Sequence, residues 1–145
     1  MRRVVICAAV LVLAYVGISS AQAMKVTNLD DYKKAMQAIG GGFGGAMKAL
    51  GSNDTAGAKT GVASALANMQ AVHAFFVEAK KDDLALLAKD SVDKITAAGV
   101  ALNGTDAAAA GAAVKAVGGT CGACHSKYRD GDGKATPYSF KPGTI

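Results

Sequence analysis

The chain has 145 residues, a length that allows one domain with one sizeable hydrophobic core. Its 16 basic and 11 acidic residues give a formal net charge of +5, which falls well short of the footprint of a nucleic-acid-binding protein. The sequence contains two histidines and three cysteines, and it has no nucleophile–base constellation of the kind that a hydrolase needs.

The first 23 residues have the three parts of a secretory signal peptide. Two arginines at positions 2 and 3 precede an apolar run from Val4 to Ile18, and Ala21-Gln22-Ala23 forms a small-residue cleavage site. The run is short for a membrane span, although an uncleaved anchor is the alternative interpretation. We therefore predict cleavage before Met24, export to the periplasm and a mature form without a membrane span. The mature chain of 122 residues loses Cys7 and has a net charge of +3.

Residues 24–129 are predicted to form a four-helix-bundle domain. Strand signals are nearly absent, and apolar side chains recur at steps of three and four residues in four segments. Asn28 and Thr105 are expected to cap the first and last of these helices. Connections of two to five residues force neighbouring helices to be antiparallel, so the predicted fold is all-α, an up-down-up-down four-helix bundle. The predicted helices run from about Asn28 to Leu50, Thr55 to Lys80, Asp83 to Leu102 and Asp106 to Arg129.

Two segments depart from this helical pattern. The first helix contains Gly40-Gly41-Gly42 and Gly44-Gly45, and each glycine costs on the order of 1 kcal/mol against alanine in a helix interior. Either the helix bends there, or another backbone or a flat ligand approaches it closely. Residues 130–145 contain Gly, Pro and Ser and are predicted to be an irregular C-terminal extension. We interpret Asp130-Gly131-Asp132-Gly133 as a turn, because the remainder of an EF-hand loop is missing.

The cysteines of the predicted mature chain lie in Cys121-Gly122-Ala123-Cys124-His125, a C-x-x-C-H sequence typical of covalent haem attachment. One helical turn places Cys121 and Cys124 on the same side, so each thiol can add to one haem vinyl group while His125 directs its imidazole at the iron. A redox C-x-x-C and half of a zinc site are the alternatives. The first normally occurs in a βαβ setting and the second needs another pair of ligands, so both fit this chain less well. We predict one haem c, bound by Cys121 and Cys124, with His125 as the proximal iron ligand.

The position of this motif resembles that in the class II cytochromes c, the cytochrome c′ family. The motif lies at the end of the last predicted helix, as Cys121-x-x-Cys124-His125-x-x-Tyr128-Arg129, whereas small class I cytochromes c usually carry it near the N-terminus. The resemblance covers residues 28–129. It implies a mono-haem four-helix bundle with redox partner proteins and a homodimer formed through the first two helices.

Met36 is predicted to be the distal iron ligand. The start of the first helix lies beside the end of the last in an antiparallel bundle, so Met36 is at nearly the height of His125 at 1.5 Å per residue. Low-spin members of the family carry a distal methionine that is followed four residues later by a glycine. Met36 and Gly40 resemble this pair in residue type and spacing. The alternatives are His73, at a similar height on the second helix, and no sixth ligand. A methionine on an apolar stripe is also often an ordinary core residue.

These predictions favour an electron carrier over an enzyme. A histidine–methionine pair fills both axial positions of the iron and raises its reduction potential, which suits electron transfer. An open axial position would instead give a five-coordinate, cytochrome c′-like protein that binds NO or CO. A third hypothesis is a haem subunit that works inside a larger redox complex. We expect a periplasmic carrier in which the iron cycles between two oxidation states and no substrate is transformed.

Overall fold

The computed structural model describes residues 24–133 and 135–145, so the predicted signal peptide lies outside the described residues. Over those residues the chain forms four α-helices, and the predicted all-α four-helix bundle is confirmed. The helices are α1 Leu29–Gly51, α2 Thr55–Glu78, α3 Asp82–Ala101 and α4 Ala107–Tyr128, and two short strands follow, β1 Arg129–Asp130 and β2 Ser139–Phe140. The predicted helix ends lie within two residues of these bounds, which is the variation expected where helices fray.

Polar side chains at the N-termini of α1 and α4 satisfy backbone N–H groups that have no partner inside the helix. Asn28 caps α1 as predicted, because its Oδ1 accepts hydrogen bonds of 3.0 and 2.9 Å from two N–H groups of the first turn. The prediction that Thr105 caps α4 is wrong. Asp106 is the cap, since its Oδ1 accepts hydrogen bonds of 2.9 and 3.0 Å from the first turn of α4. The carboxylate also interacts favourably with the positive end of the helix dipole, which a threonine hydroxyl does less well.

Consecutive helices pack closely along the bundle: α1 on α2, α2 on α3 and α3 on α4. The pair that closes the bundle, α1 and α4, makes far fewer contacts. Burial of apolar side chains between the helices is the main source of stability. The largest fully buried side chains are Phe76, Ile95, Leu102, Val72 and Val114. The seam between α1 and α4 is therefore the most open part of the bundle.

The glycines of α1 differ in what surrounds them. A Cβ atom added to Gly42 would lie 2.7 Å from the carbonyl oxygen of Gly61 on α2. A Cβ atom added to Gly61 would in turn lie 2.9 Å from the backbone nitrogen of Ala46. Close approach of another backbone thus explains Gly42. A Cβ atom on the four remaining glycines of this stretch would meet nothing within 4 Å; these are Gly40, Gly41, Gly44 and Gly45.

α4 is rich in alanine and carries the C-x-x-C-H motif in its last two turns. Within the described part of the chain it is the one helix whose length and composition would allow it to cross a membrane. A helix of a soluble core can meet the same criteria. In the bundle α4 buries one face, formed by Ala110, Val114, Val117 and Thr120.

The residues after α4 form a short hairpin where the sequence predicts an irregular extension. β1 and β2 pair antiparallel, with Arg129 opposite Phe140 and Asp130 opposite Ser139. Of the segment 130–133, where the sequence predicts a turn, Asp130 ends β1 and the remaining residues begin the loop of the hairpin, with bends at Gly131 and Gly133. In this loop the Asp132 carboxylate accepts two backbone hydrogen bonds of 2.9 Å from residues three and four positions later. The hairpin returns the chain to the end of the bundle that contains the C-x-x-C-H motif.

Candidate haem-binding site

A cleft of about 220 Å³ lies inside the bundle between α1 and α4. All four helices contribute to its wall, and the part formed by α2 and α3 is almost entirely apolar. The hydroxyl of Ser91, the polar side chain in that part, donates a hydrogen bond of 3.0 Å to the carbonyl of Leu87 within its own helix. The side chains from α2 and α3 are Met69, Val72, Phe76, Leu87, Ala88 and Ser91. The cleft thus has the apolar lining that is common in cofactor sites.

The C-x-x-C-H residues form the α4 side of this cleft. Cys121, Cys124 and His125 all line it and are half-buried. Gly118, one turn earlier, also lines the cleft. The helix places them there because residues three and four apart lie on the same face. The three residues that the sequence predicts to hold haem are therefore brought together on one wall, near the C-terminal end of α4.

Burial sets the protonation of these groups. Burial raises the pKa of Cys121, and a hydrogen bond involving Thr120 partly offsets this rise. Burial also raises the pKa of Cys124, and the neighbouring Cys121 raises it further. Burial also lowers the pKa of His125, and the positive charge of Arg129 lowers it further. At neutral pH both sulfurs are therefore thiols and the imidazole is uncharged. An uncharged imidazole has a nitrogen lone pair that can bind a metal.

Met36 lies on the opposite wall, on α1. It is half-buried and lines the cleft with Ile39 and Phe43. The predicted rival ligand, His73, is not among the residues that line the cleft, whereas the preceding residue, Val72, is. At 100° per residue His73 lies about 40° around α2 from Met69 and about 60° from Phe76, so it borders the face that lines the cleft without being part of it. Of the two predicted candidates for a distal ligand, the structure brings Met36 to the cleft with His125.

An aromatic cluster closes the end of the cleft near the start of α1. Tyr32 lines the cleft one turn before Met36, and its ring centroid lies 5.6 Å from that of Phe76 and 4.8 Å from that of Phe140. Burial raises the pKa of Tyr32 far above its ordinary value, the nearby Cys124 adds to the rise, and the charge of Arg129 opposes it. Tyr32 is therefore a neutral aromatic residue at any physiological pH.

Sequence reasoning did not identify Tyr32, Phe140 or Gly118 as parts of this site. Tyr32 could have been found, because it lies four residues before Met36 on the same apolar stripe. Gly118 could have been found in the same way, as the residue one turn before Cys121. Nothing in the local pattern around Phe140 indicates a contact with α1, since the chain must first reverse direction through the hairpin.

Polar contacts fix the end of α4 beside the cleft. The hydroxyl of Tyr128 donates a hydrogen bond of 3.2 Å to the Asp83 carboxylate at the start of α3, and Lys127 forms an ion pair of 3.4 Å with the same carboxylate. The Arg129 guanidinium lies 4.1 Å from the centroid of the Tyr138 ring. Tyr128 and Lys127 thus connect α4 to α3, and the contact of Arg129 with Tyr138 joins the two sides of the hairpin.

These residues fit a covalently attached haem. Two thiols and an uncharged imidazole lie on one wall of an apolar cleft, and a thioether lies on the other wall. Each wall also contains a glycine, Gly40 on α1 and Gly118 on α4, at which an added Cβ atom would meet nothing within 4 Å. The absence of side chains at these two positions leaves space between the walls for a flat group. The described residues contain no group of three or more His, Cys, Asp or Glu side chains placed to hold a metal ion. A haem iron needs at most two axial protein ligands.

Comparison of the chain with protein families, with curated proteins and with solved structures gave no match. The functional assignment therefore depends on the residues of this chain and on their arrangement.

Proposed function

We propose that the protein is a periplasmic mono-haem c-type cytochrome that acts as an electron carrier and resembles the class II cytochromes c. The observation that carries the proposal is the common cleft: Cys121, Cys124 and His125 line one wall and Met36 lines the other. A C-x-x-C-H motif on a surface, facing no cavity, would not support it. The predicted signal peptide supports the periplasmic location, where covalent attachment prevents loss of the cofactor.

Each residue has a separate role in this proposal. The Cys121 and Cys124 sulfurs would hold haem covalently, since addition of each S–H across a vinyl group gives a thioether and consumes no oxidant or reductant. His125 would bind the iron through its uncharged imidazole, and Met36 would bind it through its sulfur. Bound haem supplies an iron that accepts and releases one electron. The apolar side chains that line the cleft would exclude water from the haem.

The thioether on the distal wall favours electron transfer over gas binding. A protein that binds NO or CO needs an open axial position, and a thioether in the cleft, that of Met36, supports a filled one. Met69 also lines the cleft from α2 and is a second thioether that an experiment must separate from Met36.

The test is the absorption spectrum of the protein produced in a host that attaches haem to C-x-x-C-H motifs. We expect a polypeptide whose mass is increased by one haem, with low-spin spectra in both oxidation states. Met36→Leu keeps the volume of the side chain but removes the sulfur, so it should give high-spin spectra and rapid CO binding to the ferrous protein. Met69→Leu, the matched control, should keep the low-spin spectra.

Three outcomes would contradict parts of the proposal. A chain that acquires no haem would contradict the cofactor. High-spin spectra and ready CO binding in the unaltered protein would contradict the electron carrier in favour of the five-coordinate, gas-binding alternative. Low-spin spectra that persist in Met36→Leu and are lost in His73→Ala would show that the wrong distal ligand had been chosen.

A further inference from the structure

We infer that the C-terminal hairpin is part of the haem site, with Phe140 and Lys141 as positioning residues that hold the last turn of α4 and keep water from the end of the cleft. The inference rests on the proposed function where it concerns haem, and it has a separate test on the haem-free chain. Residues 138–141, the clasp, carry both contacts.

The first contact is the aromatic cover. Phe140 is half-buried, and its ring centroid lies 4.8 Å from that of Tyr32 and 6.3 Å from that of Phe76. Both partners line the cleft, so Phe140 lies directly behind its wall. If the Phe140 ring were absent, the outer side of Tyr32 would face solvent at the end of the bundle where Cys124 and His125 lie.

The second contact is to the backbone of α4. The last carbonyl groups of a helix have no partner within the helix. Lys141 satisfies two of them: its backbone N–H donates a hydrogen bond of 2.9 Å to the Tyr128 carbonyl, and its Nζ donates one of 2.9 Å to the Ser126 carbonyl. Ser126 follows His125 directly. The clasp therefore fastens the helical turn that carries the imidazole.

The clasp is itself held in a defined conformation. Gly131 and Gly133 have φ angles of +82° and +72°, a left-handed conformation that glycine adopts readily. A Cβ atom at either position would collide with the returning chain, at Pro137 or at the ring of Tyr138. The Tyr138 ring in turn lies against Arg129. The turn thus directs Phe140 back to the bundle, as a free tail would not.

Exclusion of water has a measurable consequence for the iron. Ferric haem carries one more positive charge than ferrous haem, and a charge is less stable where water is excluded. Solvent exposure is accordingly one of the factors that set reduction potentials. Opening the end of the cleft should therefore stabilise the ferric state and lower the potential.

The first experiment measures the midpoint potential of the haem-loaded protein by spectroelectrochemistry. Phe140→Ala should lower the potential while the low-spin spectrum remains, and Phe140→Leu, which keeps an apolar side chain over Tyr32, should restore most of it. The control is Leu86→Ala, which truncates an apolar side chain of α3 that is 70% exposed and does not line the cleft. Overlapping potentials in Phe140→Ala and the unaltered protein, or an equal fall in Leu86→Ala, would overturn the proposed role of Phe140.

The second experiment does not need haem. In the haem-free mature chain, Phe140→Ala should increase the rate at which iodoacetamide alkylates Cys124, whereas Leu86→Ala should leave it unchanged. Lys141→Met removes the Nζ donor, so it should speed hydrogen exchange of the amides at the end of α4. Unchanged alkylation and exchange would refute the clasp even if haem binds. Accelerated rates in a chain that never acquires haem would support the clasp and refute the proposed function.

Discussion

Replacement of glycine by alanine should have opposite effects at two positions of the α1–α2 pair. At Gly61 the new Cβ atom would lie 2.9 Å from the backbone nitrogen of Ala46 and would collide with the carbonyl oxygen of Gly42. The collisions are with backbone atoms, which a side-chain rotation cannot relieve. At Gly44 the new Cβ atom would meet nothing within 4 Å.

The expected magnitudes follow from these distances. Alanine gains about 1 kcal/mol of helix propensity at both positions. Overpacking at Gly61 costs roughly 1–3 kcal/mol, because the two helices must separate, so Gly61→Ala should be destabilising by about 1 kcal/mol net. Gly44→Ala should be stabilising by about 1 kcal/mol, since it gains helix propensity and causes no overpacking.

Urea unfolding followed by far-UV circular dichroism measures the difference. With a denaturant dependence of about 2 kcal/mol per molar urea, the two variants should differ in midpoint by roughly 1 M. The unaltered protein should lie between them. If Gly61→Ala raised the midpoint as much as Gly44→Ala does, the two helices would not approach each other at Gly42 and Gly61, and the reasoning would be refuted.

Two further predictions concern α4. Gly118→Leu should fill the cleft with an apolar side chain and reduce the amount of haem bound per chain, measured by intact mass and Soret absorbance. The control Gly119→Leu, whose position does not line the cleft, should bind as much haem as the unaltered protein. Equal haem content in the two variants would contradict the position of the cleft. Asp106→Ala should lower the free energy of unfolding by about 1 kcal/mol in urea titrations because it removes the N-cap of α4. Thr105→Ala should have little effect, and the reverse order would restore Thr105 as the cap.

The helices could be predicted because their signals are local. Apolar residues at three- and four-residue steps determine which face is buried, and a residue such as Asn28 is both a good cap and the last residue before such a stripe. At α4 the sequence has two adjacent residues of the capping type, Thr105 and Asp106, and sequence alone does not say which one has the extended backbone of a cap. Asp106 has it, with ψ of 99°.

What could not be predicted depends on the partner helix or on chain reversal. Five glycines of α1 look equivalent in the sequence, yet Gly42 alone among them faces the backbone of α2 closely in the described structure. The rise per residue predicts the position of Met36 along the bundle axis, but it predicts a similar axial position for His73. The direction of the side chain around α2, which separates His73 from Val72, depends on how that helix is rotated in the bundle.

The order in which the helices meet along the chain affects how the protein assembles. Closely packed pairs are consecutive in sequence, so each can form as a helical hairpin after a short loop closes, and such local contacts form rapidly. The sparse α1–α4 seam joins segments far apart in sequence and therefore closes late. We expect the exported chain, as it folds, to hold its second and third helices in place while the two outer helices are still apart. A bulky planar molecule could then enter from the side, between α1 and α4, before the bundle closes around it.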